Sequence, residues 1–151
     1  MKKIFTTLAL ALTVITSSAQ TESDSLISFA DEGLKTFCIK FNKIDTNKDQ
    51  EISLGEAAAS TRLSLMVYKS FMQPIKDYRD LAFFPNLQYL HAGLSYADTL
   101  DLSNNPLLEE IDASDCRKLS VIILRKGCKP EIKTGYWKGE KPKIIYKKKK
   151  K

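Results

Sequence analysis

The 151-residue chain has one histidine, His91, one tryptophan and three cysteines. A single imidazole excludes a His-rich transition-metal site and leaves any serine or cysteine nucleophile one possible partner. No Gly-rich phosphate-binding loop is present. Glu109-Glu110 is a lone acidic pair without a matched partner, and His91 in Leu90-His91-Ala92 alternates outward as a plain surface residue. No catalytic constellation emerges, so the chain reads as a non-enzyme. Cys38, Cys116 and Cys128 allow at most one intramolecular disulfide, Cys116 with Cys128 being the expected pair. The competing reading is three small buried apolar residues.

Long apolar runs are equally scarce. The one candidate, Ile4 to Ile15, follows Lys2-Lys3 and precedes Ser17-Ser18-Ala19, the order of a secretory signal peptide covering 1–19. It is short for a membrane span and contains Thr6, Thr7 and Thr13. The expected product is exported, periplasmic or extracellular, with no transmembrane segment. Removing Lys2 and Lys3 lowers the formal charge from +6 to about +4, and the five lysines of 147–151 exceed that alone. The body is therefore near neutral, which argues against nucleic acid as a partner. The lysine tail is expected to be disordered, and could hold the protein near anionic surfaces.

The clearest chemistry lies in Asp45-Thr46-Asn47-Lys48-Asp49-Gln50-Glu51-Ile52-Ser53-Leu54-Gly55-Glu56. It presents oxygen ligands at the offsets of a calcium-binding EF-hand loop. Asp45, Asn47 and Asp49 occupy positions 1, 3 and 5, and Glu51 offers its carbonyl at 7. Ser53 can coordinate at 9, directly or through water, and Glu56 closes the site bidentately. Ile52 at position 8 is expected in the core and Lys48 in solvent. Gln50 stands where the pattern wants Gly, and a side chain held at left-handed dihedrals costs about 1–2 kcal/mol. A weak calcium site is the expectation; a polar turn that never meets metal is the alternative. Leu34, Phe37, Cys38 and Phe41 mark the face of an entering helix N-capped by Asp31, and Glu56 to Leu63 reads as the exiting helix.

Beyond Leu63 the texture changes to short apolar alternations. Leu87-x-x-Leu90-x-Ala92, Ala97-x-x-Leu100-x-Leu102, Leu108-x-x-Ile111-x-Ala113 and Leu119-x-x-Ile122-x-Leu124 start 10, 11 and 11 residues apart. Two such half-units make 21 residues, the length and pattern of a leucine-rich repeat. Asn105 fits the asparagine that bonds to the backbone at the bend, and Cys116 holds the equivalent place in the next half-unit. Which half-unit supplies the concave strand stays open. Ile75, Tyr78, Leu81, Phe84 and Leu87 advance in threes, the convex turn of an earlier repeat whose strand lies near Leu63 to Val67. Lys129-Pro130 ends the pattern, and the two short runs of 131–146 suggest a β-hairpin cap with Tyr136 and Trp137 at its turn.

The fold expected is α/β: a helix–calcium loop–helix segment (20–62), a short leucine-rich repeat solenoid (63–128), a hairpin cap (129–146) and the tail (147–151). Together, Phe29-Ala30-Asp31, the loop Asp45 to Ser53, Glu56-Ala57-Ala58-Ala59-Ser60-Thr61, Leu100-Asp101-Leu102-Ser103-Asn104-Asn105 and Lys126-Gly127-Cys128-Lys129-Pro130 resemble a known family. It comprises exported bacterial leucine-rich repeat proteins that carry one EF-hand-like or dockerin-like calcium segment. The resemblance implies calcium ligands Asp45, Asn47, Asp49, Glu51 and Glu56. It also implies repeats that bind another macromolecule, a protein or a polysaccharide. A calcium-responsive switch is the alternative, weakened because one hand joined directly to repeats has little that could open.

Overall fold

Asp31 starts the first helix by accepting a hydrogen bond from the Leu34 backbone N–H at 3.1 Å, which satisfies one of the donors a helix start leaves open. Its other carboxylate oxygen accepts from the N–H groups of Lys76 and Asp77, fastening that start to a segment 45 residues further along the chain. The computed structural model describes residues 24–66, 75–93, 97–114, 116, 118–135 and 141–148. The expected signal peptide, Tyr136, Trp137 and Lys149–Lys151 lie outside them.

The protein is mixed α/β, with few helices and two parallel sheets. Helix α1 (Glu32–Thr36) runs into a π-helical turn (Phe37–Phe41), and after the Asp45 loop comes α2 (Leu54–Ala59). Strand β1 (Arg62–Ser64) follows, then a 3₁₀ turn (Arg79–Phe83). The remaining strands are β2 (Tyr89–His91), β3 (Thr99–Leu102), β4 (Glu110–Asp112), β5 (Val121–Arg125), β6 (Glu131–Lys133) and β7 (Lys143–Lys147). One sheet has the order β1-β2-β4-β6 and the other β3-β5-β7, every pairing parallel.

From β2 onward the chain thus alternates between sheets, and each half-unit of the sequence pattern supplies one strand. Leu63, Leu90, Ile111 and Ile132 stand in register in the first sheet. Leu100, Ile122 and Ile144 do so in the second. The period-2 alternation sends these residues inward, where all but the last of each column are buried. Leu102, Ile111 and Ile122 are fully buried, each stabilising the fold by about 1.5–3 kcal/mol through removal of apolar surface from water. Ile75, Tyr78, Leu81, Phe84 and Leu87 are buried as their spacing in threes required. One core cluster runs unbroken from Ile27, Leu34 and Phe37 beneath the helices to Leu124 and Cys128.

Several expectations are corrected. The exiting helix begins at Leu54, not Glu56, and stops at Ala59, because Ser60 turns extended (ψ 121°) and leads straight into β1. Among the described residues of 129–146, the two strands do not pair as a hairpin: β6 extends the first sheet and β7 the second, both parallel to their neighbours. The tail does not begin at Lys147, which ends β7 paired with Arg125. Ahead of α1, Ile27 is buried and its N–H donates to Ile52 O at 2.8 Å.

Candidate metal centre

Residues 45–56 fold into a loop braced by their own carboxylates. Asp45 Oδ1 accepts from Lys48 N at 2.6 Å, and its Oδ2 accepts from Gln50 N at 3.0 Å. Asn47 Oδ1 accepts from Asp49 N at 2.9 Å, and Asp49 Oδ1 from Glu51 N at 2.8 Å. These short-range bonds curl the backbone so that alternate side chains turn toward one another. Two residues are forced left-handed by the curl, Lys48 at φ 65° and Gln50 at φ 66°. Gln50 was the position where the sequence lacked glycine, and it carries the backbone conformation that glycine would relieve. Ile52 is fully buried and Lys48 exposed, as their positions in the loop demanded.

Glu56 performs a different task. Its Oε1 accepts from Thr46 N at 2.7 Å and Thr46 Oγ1 at 2.8 Å, with Asn47 N farther away at 3.4 Å. Its Oε2 accepts from Ser53 N and Ser53 Oγ, both at 3.0 Å, while Ser53 Oγ accepts from Glu56 N at 3.2 Å. This is a capping box at the start of α2, legible in the Ser53-x-x-Glu56 spacing but absent from the sequence expectation. Burial opposes ionisation of Glu56, yet the Ser53 and Thr46 donors outweigh it and hold the carboxyl down at about 2.

The donor set suits calcium in kind, since Asp45, Asn47, Asp49, the Glu51 carbonyl and Glu56 supply only oxygens. Oxygens that accept one backbone N–H keep a lone pair for a cation, which leaves Asp45, Asn47 and Asp49 able to coordinate. Glu56 Oε1 is saturated by Thr46, so bidentate closure would require those bonds to yield. Among the described residues no three His, Cys, Asp or Glu side chains converge as a metal site. The Glu51 side chain faces away from the ligand set and pairs with Lys35 Nζ at 2.7 Å. The edge of the loop is covered from within the chain, Ile27 N donating to Ile52 O and Leu54 N to Ser25 O, both at 2.8 Å.

An open groove of about 530 Å³ runs from Thr46 and Glu56 past Asn42 to Arg62, where a second of about 270 Å³ continues over the first sheet's outer face. There the Arg62 guanidinium stacks 4.0 Å from the Tyr89 ring centroid, a cation–π contact. Tyr89 Oη donates to Glu109 at 3.0 Å, which raises the phenol's pKa. Lys133 reaches Glu110 at 2.8 Å. Glu109 and Glu110 are therefore partnered, a correction that required the strand register, because their partners lie 20 and 23 residues away. His91 Nε2 stands 3.9 Å from Asp112 on the same face, half-buried and not a plain surface residue.

All three cysteines are buried thiols outside any disulfide, so the Cys116–Cys128 disulfide is corrected to the alternative of small core residues. Cys116 Sγ donates to Ala92 O at 3.1 Å and Cys128 Sγ to Leu108 O at 3.6 Å. Burial, assisted by the charge on Asp80, pushes the Cys38 thiol up to about 12, an inert state. No protein-family model matches the chain, and neither does any curated protein or any solved structure.

Proposed function

We propose that this chain is an exported, non-enzymatic interaction module of the leucine-rich repeat type, stiffened at one end by an EF-hand-like loop for which calcium is a mainly structural ligand. The observation that carries the reading is the left-handed backbone of Gln50 inside a loop where Asp45, Asn47 and Asp49 each accept a local backbone N–H. A cation-wrapping loop uses that conformation at this position, and it costs a non-glycine residue about 1–2 kcal/mol. Two parallel ladders at a repeat of about 21 residues, with Asn105 bonded to the preceding bend, favour the repeat half of the reading.

When bound, calcium would supply charge neutralisation and a rigid link between α1 and α2. Asp45, Asn47, Asp49, the Glu51 carbonyl and Glu56 would hold it, with Ser53 contributing directly or through water. The repeats would face a protein or polysaccharide partner. Calorimetric titration of the mature protein with calcium, against a chelated control and against magnesium, tests the metal. Saturable heat for calcium alone supports the reading, and no heat up to 10 mM would remove calcium from it. Backbone shift changes confined to residues 45–56 would favour a structural role, whereas changes spreading through β1 and β2 would favour the switch.

A further inference from the structure

The core columns do not close at β7. Leu102, Leu124 and Tyr146 occupy one inward-facing column of the second sheet, and their exposures are 0%, 1% and 52%. Beside them Leu100 and Ile122 are fully buried while Ile144 is only partly so. Among the described residues strand β7 pairs on one side only, with β5. Lys143 N donates to Ser120 O and Lys147 O accepts from Lys126 N, so residues 143, 145 and 147 direct their peptide groups toward β5. By alternation, the N–H and C=O groups of Ile144 and Tyr146 face the open edge. The outward side of the same strand shows Lys143, Ile145 (38% exposed) and Lys147. Lys141 and Lys148 flank it, and no acidic residue lies between 141 and 148.

We propose that the open edge of β7 is a docking site for an extended acidic segment of a partner protein, which adds a parallel or antiparallel strand to the second sheet. The inference rests on the interaction-module reading above but is independent of the metal. The partner's chemistry follows from the register. Residues on its outer face must be acidic, opposite Lys143, and those on its inner face apolar, covering Ile144 and Tyr146 as Leu124 is covered within the chain. Lysines on a sheet edge disfavour pairing with a second copy of the same edge, so the occupant carries the opposite charge. Lys147 is already engaged within the sheet, its Nζ meeting Asp101 Oδ2 at 2.6 Å on that outer face, which leaves Lys143 as the strand's lysine for the partner.

The test uses an end-blocked eight-residue peptide alternating glutamate and valine, with its lysine–valine counterpart as control, titrated into the full-length mature protein. Saturable binding of the acidic peptide alone is expected, with slowed amide exchange at Ile144 and Tyr146. Lys143→Glu should weaken binding at least tenfold. Tyr146→Pro removes an edge donor that β5 does not use, so it should leave the melting curve nearly intact and abolish binding. Chelating calcium should change none of this, which separates failure here from failure of the metal reading. Equal binding of both peptides, undiminished binding by Lys143→Glu, or protection confined to other strands would overturn the proposal. So would self-association through β7 in place of peptide binding.

Discussion

Asn42 pairs with Ser64 as a neighbouring strand would: Oδ1 accepts from Ser64 N at 2.8 Å and Nδ2 donates to Ser64 O at 3.0 Å. The same Nδ2 donates to Phe37 O at 3.0 Å, so one amide joins the π-helical turn to the free edge of β1. That edge would otherwise present unpaired backbone groups, a template for misassociation. The helical segment is thereby fixed to the first sheet by a two-way hydrogen bond as well as by the core.

Asn42→Ala should therefore cost about 1–2 kcal/mol, the range for losing hydrogen bonds to partly exposed backbone groups. Asn42→Asp keeps the acceptor for Ser64 N but loses both donor contacts, so it should fall between wild type and alanine. Urea unfolding monitored by circular dichroism measures both, and identical midpoints for all three proteins would dismiss the clamp.

Asn105 is fully buried, and its Nδ2 donates to Leu81 O at 2.7 Å and Phe84 O at 2.8 Å. Asn105→Leu would remove the second hydrogen bond that each carbonyl accepts, Leu81 O keeping Phe84 N and Phe84 O keeping Leu87 N, and should cost about 1–3 kcal/mol. Leu102→Ala, which empties a fully buried site in the same turn, should cost about 2–5 kcal/mol. Unchanged thermal melting for Leu102→Ala would remove that residue from the core.

The inertness of Cys38 is open to direct chemistry. At pH 8 a thiol held near 12 carries almost no thiolate, and it is shielded by the surrounding core. Alkylation of the native protein should spare Cys38 while denaturant makes all three cysteines react, with no mass change on prior reduction. Rapid native labelling of Cys38, or a two-hydrogen mass gain on reduction, would show a different cysteine arrangement.

Glu56 adds a pH dependence whose sign follows from its lowered pKa. A carboxyl at about 2 in the folded chain, against an ordinary 4.5, contributes stability in full above 4.5 and loses it as pH falls through 2. The difference in stability between wild type and Glu56→Gln should therefore shrink between pH 5 and pH 2. It will be modest, because Glu56 is solvent-accessible and its interactions are screened. A difference constant across that range would mean that Glu56 ionisation does not stabilise the fold.

The repeat period was legible because Leu90, Leu100 and Ile111 are hydrophobic on the inward side and flanked by more polar neighbours, so alternation set their register, and the 11-residue spacing carried it on to Ile122, which lies between Val121 and Ile123. The continuation into β6 and β7 was not. Ile132 is the lone apolar residue of Glu131–Lys133, and Lys129 and Thr134 stand where the preceding unit has Leu108 and Ala113, so the pattern had nothing left to count. The loop's shape was readable from Asp45, Asn47 and Asp49, whose side chains act on their own backbone. Thr46, Asn42 and Ser25 escaped notice because their contacts depend on how distant segments meet. The Arg62–Tyr89 and Glu110–Lys133 contacts likewise needed the cross-strand register.

Calcium-dependent melting tests the metal loop most directly. Extracellular calcium modules bind at roughly 10⁻⁴–10⁻³ M, and the left-handed Gln50 places this loop at the weak end. A dissociation constant near 1 mM would stabilise the fold by about 0.4 kcal/mol at 1 mM calcium and about 1.4 kcal/mol at 10 mM. Glu56→Gln should erase the calcium effect, magnesium should do much less than calcium, and Gln50→Gly should tighten binding roughly 5- to 30-fold. A melting temperature raised by 10 mM calcium in wild type, raised further in Gln50→Gly and unmoved in Glu56→Gln is the expected result. One that 10 mM calcium leaves unchanged in both wild type and Gln50→Gly would mean that the loop is a polar turn and calcium no part of the protein's function.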